Sequence, residues 1–372
     1  MWRIGILSAT GTARKRTVPA LRGSSLCQVT VVHGRSLSQL RQTVGVDADI
    51  RLATSEQEFA ELRQYYDVIF IASPPFLHPS HIELAIHLGM PVICEKPLIV
   101  QRDSFGPLMA KITESGIPFM LAHHIRHQPA IAEIAEIVKR GRFGAPVAAN
   151  LQWCFMMNHA APSALWKLDG QLGGSNAMFD CGVHAIDTAV HLFGKPARVS
   201  ATGYHLRSAD TWDSAIAVLQ YSNFSATVVA SQSASSVGND LRITFQECVL
   251  QASGFFGEKA VQSVEIVGSS GGEKLIYGSA DLYRTEVEDF CRSLERGETI
   301  PGTTAADAAA CSRILFAIED AIQTGNSVEI DWEPNAILQC SAASGCCALR
   351  DLCAIIFRLR WRWHWRYSGH RA

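Results

Sequence analysis

The densest run of polar side chains in the sequence lies between Gly173 and Asp187, and within it Asp180 and His184 stand four residues apart. On a helix that spacing puts both on one face, one turn from each other. A carboxylate beside an imidazole is an arrangement for general-base work near neutral pH. Asp187 and His191 continue the same face. Two other readings of this Asp-x3-His-x2-Asp-x3-His pattern stay open. It could ligate a metal, although no second ligand segment is evident, or it could be a hydrogen-bonded polar helix face without chemistry. No metal is expected. Lys96, in Glu95-Lys96-Pro97, is the next candidate, because a proline after it permits a cis or sharply turned peptide that aims the lysine into a cleft.

A third constellation is Ser8-Ala9-Thr10-Gly11-Thr12-Ala13, between a strand and a helix. A dinucleotide-binding fold sets its glycine-rich turn there, with pyrophosphate on backbone N–H groups. Only Gly11 is a glycine, but the small residues allow close backbone approach. The hydroxyls of Ser8, Thr10 and Thr12 can bond phosphate directly, and Ala13 completes a Ser-x-Thr-x-x-Ala pattern. The second strand ends at His33-Gly34-Arg35-Ser36, with no acid until Asp47 to grip a ribose 2′-hydroxyl. Arg35 and Ser36 suit a 2′-phosphate instead, so NADP(H) is favoured over NAD(H). Ser73, Pro74, His78, Glu95 and Lys96 complete the cofactor-binding candidates.

These side chains need elements to position them. Apolar runs at 2–10, 28–33, 66–72 and 91–94 alternate with helical spacing at 12–22, 36–44, 56–64 and 79–89. The rhythm continues through about residue 122 and predicts a doubly wound parallel sheet. Beyond it the spacing predicts a helix over 128–140 and strands over 146–157, 197–206, 213–221, 225–233, 241–246 and 248–252. Helices are expected over 176–193, 281–296 and 304–324. Strands in succession without helices between them imply an open, mostly antiparallel sheet. The fold class is therefore α/β: residues 1–122 bind the cofactor, and residues 123–331 form an α+β substrate domain. Helices 176–193 and 281–296 are expected on one face of the open sheet. The other face would be covered in a homodimer or homotetramer.

A dinucleotide turn, a Glu-Lys-Pro strand end and Asp180-Cys-Gly-Val-His-Ala-Ile-Asp187, in this order, resemble the glucose–fructose oxidoreductase / inositol dehydrogenase family. The resemblance covers about residues 3–331, including Tyr283, Glu286 and Phe290. It implies a Rossmann domain, NAD(P), and oxidation or reduction of carbinol or carbonyl carbons in sugars or cyclitols. It places catalytic roles on Lys96, Asp180 and His184. It also matches Arg126 to Pro129 with an Arg-x-x-Pro element, in which His124 stands where asparagine is common. Lys96, His124, Arg126, Trp166, Asp180 and His184 are the substrate-binding candidates. In the oxidative direction His184 would take the hydroxyl proton while Asp180 supports the imidazolium, and Lys96 and His184 could exchange the proton-transfer role.

Composition sets the outer bounds. The chain has 372 residues, 33 Lys plus Arg against 35 Asp plus Glu, and a net charge of −2. That balance argues against nucleic acid as the main partner. No run of about 18 uncharged apolar residues suggests a membrane span, and a cytoplasmic location is expected. Seven of the 11 cysteines are scattered singly, as buried thiols in a reducing compartment would be. The segment 332–372 carries six Arg against two acids, interleaves Arg and Trp from Arg358 to Tyr367, and fits neither domain. It reads as an accidental extension or as an anionic-surface binder. The rival to an enzyme is a cofactor-binding sensor without turnover, which the poor glycine turn would suit.

Overall fold

The computed structural model describes residues 1–332 apart from 46, 48, 159, 161, 270 and 301. The 332–372 tail, Trp332 excepted, and its membrane and nucleic-acid readings lie outside the described residues. Residues 1–331 form one compact unit.

Six strands build the first sheet: β1 (Trp2–Leu7), β2 (Cys27–His33), β3 (Arg51–Ala53), β4 (Val68–Ile71), β5 (Val92–Glu95) and β6 (Phe119–Ala122). They are parallel and ordered β3-β2-β1-β4-β5-β6. All four residues of β4 and of β6 are buried, as continuous apolar strands between two helical layers require. Those layers are α1 (Thr12–Lys15), α2 (Thr17–Arg22), α3 (Leu37–Val44), α4 (Glu56–Glu61), α5 (His78–His87) and α6 (Arg102–Ser115). The helix expected over 12–22 is broken at Arg16, so the turn after β1 leads into a single helical turn.

After α7 (Pro129–Arg140) come β7 (Pro146–Cys154), the short helix α8 (Gly170–Gly173) and α9 (Val183–Phe193). The remaining strands are β8 (Arg198–Tyr204), β9 (Ser214–Gln220), β10 (Ser225–Ser231), β11 (Leu241–Phe245) and β12 (Cys248–Ala252). They continue with β13 (Ser263–Gly268), β14 (Gly271–Ile276) and, after α10 (Leu282–Arg296) and α11 (Ala305–Thr324), β15 (Val328–Glu329). The nine strands order as β14-β13-β12-β11-β7-β10-β9-β8-β15. Only β7 and β10 run parallel; every other pairing is antiparallel. β13 and β14 were not expected; in β14 the glycines and charges of Gly271-Gly-Glu-Lys274 hide an exposed edge strand.

One face of this sheet carries α9 and α11; Thr304 and Asp307 close the start of α11 with a reciprocal capping box. Val147, Ile216 and Val267 stand exposed on the sheet. The helix expected over 281–296 does not lie on this sheet. α10 packs against α2 and β2, and its Val287, Phe290 and Cys291 join the core of Val18, Leu21 and Cys27 in the first sheet's layer. Burying each large side chain of that stripe contributes roughly 1.5–3 kcal/mol. That is reason enough for a late helix to return to the early core. No helix among the described residues is long and apolar enough to cross a membrane.

Candidate active site

Lys96 leaves the carboxyl end of β5 with a cis peptide to Pro97. Its Nζ donates to the Asp180 carbonyl and lies 3.3 Å from Asp180 Oδ1. Asp180 occupies a π-helical turn, Met178–Gly182, that precedes α9. Lys167 Nζ, from a short helical segment at 162–168, donates to both carboxylate oxygens at 2.9 and 2.8 Å, and Gln232 Nε2 donates to Oδ2 at 2.8 Å. Burial alone would push the Asp180 carboxyl up, but the two lysines and Gln232 outweigh it and hold it well below the usual range. Two ammonium groups against one carboxylate leave a cationic surplus, suited to an oxygen on which negative charge develops.

Asp180 makes no hydrogen bond to His184, which corrects the expected carboxylate–imidazole pair. The wider π turn sets Asp180 off the α9 face that carries His184. His184 instead brings Nδ1 to 3.0 Å from Nδ1 of His123, at the end of β6. Its ring stacks on Trp153 at 4.5 Å and meets His124 at 5.0 Å; His124 stacks in turn on Tyr283 at 4.6 Å. Burial, then the Lys96 charge, drives the His184 imidazole well below its ordinary range, and burial holds His123 down to about 4. Both rings are neutral at pH 7.

Arg126 was a substrate-binding candidate, and the structure uses it otherwise. Its buried guanidinium grips Asp187 at 2.7 and 2.9 Å, and Thr303 donates to the same carboxylate. His78 is likewise spent on the scaffold. It is fully buried, with Nδ1 2.8 Å from the Pro97 carbonyl and Nε2 2.9 Å from that of Ser73. Ser73 Oγ pairs with His81 Nδ1 at 2.9 Å, and Pro74 begins a short helical turn after β4. Burial raises the Glu95 carboxyl at the end of β5. Trp166 is half-buried, with Lys167 Nζ 5.5 Å from its ring centroid.

The turn after β1 fits a dinucleotide. Ser8 adopts φ +62°, the left-handed conformation that glycine takes without cost. The backbone N–H of Ala9 donates to the His33 carbonyl at 2.8 Å, tying the turn to the end of β2. A Cβ on Gly34 would sit 3.0 Å from Thr10 Cγ2, so a larger residue there would press on the turn. Ala9 and Ala13 are wholly buried, while a Cβ placed on Gly11 meets nothing within 4 Å. The Thr10 and Thr12 hydroxyls and the exposed Arg35 guanidinium bond no other described residue, so phosphate has both room and donors. Ser36 caps α3 by accepting from Gln39 N at 3.4 Å.

Sequence reasoning missed Lys167, Gln232, His123 and Trp153. The His123-His124 doublet is the visible signal for His123. Lys167 and Gln232 carry no local pattern, because their role depends on which loops converge on Asp180.

An oxidoreductase family model with an NAD-binding Rossmann fold, GFO/IDH/MocA, matches residues 2–123. A GFO/IDH/MocA C-terminal domain model matches residues 131–272. Among curated proteins, the chain is 26% identical to D-xylose 1-dehydrogenase (NADP(+)) 2 of Haloferax volcanii, over 88% of this chain and 99% of that protein. It is 23% identical to 1,5-anhydro-D-fructose reductase of Ensifer adhaerens, over 89% and 95%. Among solved structures, aldose-aldose oxidoreductase from Caulobacter crescentus, complexed with glycerol, superposes with a TM-score of 0.78. That match has 18% identity over 88% of this chain and 99% of that one, a likeness of fold.

Proposed function

This chain belongs to the GFO/IDH/MocA family of NAD(P)-dependent oxidoreductases, and from that premise we propose that it acts on a carbonyl or carbinol carbon of a sugar or cyclitol, with NADP(H) preferred. The relatives named for xylose and anhydrofructose support the substrate class. When bound, the nicotinamide supplies or accepts a hydride. Ser8, Thr10 and Thr12 hold its pyrophosphate beside the backbone of Gly11, and Arg35 with Ser36 holds the 2′-phosphate. Lys96 Nζ faces the substrate oxygen and stabilises the charge that builds there. In reduction the Lys96 ammonium gives that oxygen a proton and becomes the neutral amine; in oxidation the neutral amine takes the hydroxyl proton and becomes the ammonium. His184 bonds the same oxygen, and Trp153, His124 and Tyr283 wall the site. Asp180, fixed by Lys167 and Gln232, holds Lys96 in place.

The observation that carries this reading is the Lys96–Asp180–Lys167 cluster at the carboxyl end of β5. Ligands of doubly wound sheets bind at that edge. A fluorescence titration with NADPH, followed by a turnover panel of pentoses, hexoses, cyclitols and their ketones, tests it. Binding without turnover across the panel would point to a sensor and overturn the catalytic assignment.

The same proposal divides the chain at 122 between cofactor and substrate parts. It takes the exposed Val147, Ile216 and Val267 as the face that a homodimer or homotetramer covers. Light scattering that returns a monomer at micromolar concentration would count against the oligomer. Seven free, buried cysteines support a cytoplasmic location.

A further inference from the structure

His123 and His184 present Nδ1 to Nδ1 at 3.0 Å, with their rings nearly perpendicular at 89°. Both rings are buried and neutral, so one proton lies between the two nitrogens, and one ring must donate to the other. Which one donates follows from the opposite ends of the rings. Nε2 of His123 is sealed from solvent and bonds no described residue. Nε2 of His184 also bonds no described residue but is not sealed, and the Lys96 charge acts on this ring.

If His184 donated from Nδ1, neutral His123 would carry its own proton on Nε2, as a buried N–H without an acceptor. If His123 donates from Nδ1, its Nε2 is a bare lone pair, and His184 carries its proton on Nε2. A buried N–H without a partner is the rarer and costlier defect; an underused acceptor is better tolerated.

We infer that His123 is a positioning residue that locks His184 into the Nε2–H tautomer, so that His184 offers the substrate oxygen a hydrogen-bond donor and not a base. This rests on the reading of His184 as a substrate-facing residue. It gives the physical reason for a single proton carrier, because a neutral imidazole protonated on Nε2 cannot accept the hydroxyl proton there. Lys96 is then the group that moves the proton.

Long-range 1H–15N correlation spectra of the 15N-histidine-labelled full chain at pH 7 report which nitrogen of each ring is protonated. The signals are assigned with His184→Gln and His123→Phe. No ligand is needed, so the result stands whether or not a turnover panel succeeds. The expected result is at least tenfold more Nε2–H than Nδ1–H tautomer at His184. In His123→Phe, which removes the donor and keeps a ring, that ratio should fall to within about threefold of unity. Nδ1–H at His184 in the unmodified chain would overturn the inference, as would an unchanged ratio in His123→Phe. If that variant does not fold, the unmodified spectrum decides alone. Turnover together with the Nδ1–H tautomer would sink this inference and leave the proposed function standing.

Discussion

Replacing Ser8 separates what the turn costs from what it does. Ser8 is the one described non-glycine residue with positive φ, at +62°. For an L-residue the left-handed region costs roughly 1–2 kcal/mol, because Cβ crowds the following carbonyl. Glycine relieves that strain but loses more backbone freedom on folding, which takes back roughly 0.5–1 kcal/mol. Ser8→Gly should therefore stabilise the protein by about 0.5–1 kcal/mol. At roughly 2–4 °C per kcal/mol for domains of this size, the melting temperature should rise by about 1–4 °C. The same change deletes a hydroxyl assigned to the pyrophosphate, and a hydrogen bond to a charged group is worth about 1.5–3 kcal/mol. NADPH affinity should thus fall roughly ten- to a hundredfold while the unliganded protein becomes more stable. Ser8→Ala is the control: it removes the hydroxyl and keeps the strained Cβ, so it should lose affinity without gaining stability. Scanning calorimetry and fluorescence titration of both variants give the readouts. Equal melting temperatures for Ser8→Gly and Ser8→Ala would refute the strain argument. Unchanged NADPH affinity in both would refute the placement of phosphate at this turn.

Three further outcomes follow from the site and its surroundings. The unmodified protein should bind NADPH at least about tenfold more tightly than NADH, and Arg35→Ala should remove most of that margin while leaving NADH nearly unchanged. Equal affinities at the outset would mean that the turn after β2 is misread. Lys96→Met and His184→Phe should each lower kcat by roughly a hundredfold or more; full activity in either removes that residue from the mechanism. Burial holds His33, His78 and His123 down to about 4 and His124 down to about 3, against an ordinary 6.5. The unfolded chain therefore takes up protons that the folded chain declines as pH falls below 6.5, and stability is lost toward pH 4. Burial raises Glu95 and Glu286, which oppose this above their ordinary 4.5. Burial lowers His81, His184 and His191 as well, so the lowered rings outnumber the raised carboxyls and stability should fall from pH 7 toward pH 5. Urea midpoints at pH 7, 6 and 5 that do not fall would contradict it.

The parallel sheet was legible because β4 and β5 are apolar runs that only a strand covered on both faces can tolerate. The antiparallel strands showed through alternation, as in β12, where Cys248, Leu250 and Ala252 are buried. β14 escaped because an exposed edge strand has no apolar face to announce it. Within the candidate site, residue type and motif position were enough to single out Lys96, Asp180 and His184 as candidates. They did not suffice for partners. Asp180 and His184 looked paired because an α-helical period was assumed, and one π turn removed the pairing. Arg126 was legible as a position but not as the counterion of Asp187, a residue placed on the catalytic face by the same assumed period. α10 carried a clear apolar stripe, but a stripe does not say which of two sheets it will cover.

The return of α10 to the first core also bears on how the chain is made. During synthesis, the six parallel strands emerge by Ala122, yet Val18, Leu21 and Cys27 wait for Val287, Phe290 and Cys291 to cover them. At roughly 5–20 residues per second, the ribosome takes about ten to thirty seconds to deliver them. Through that interval the nascent cofactor domain shows an apolar groove on the α2 side. Excised at residue 122, it should expose that groove permanently and associate or bind chaperones. The amino-terminal sheet is thus contiguous in sequence but finished by the late helix α10, and a truncation that removes α10 damages the cofactor end of the molecule first.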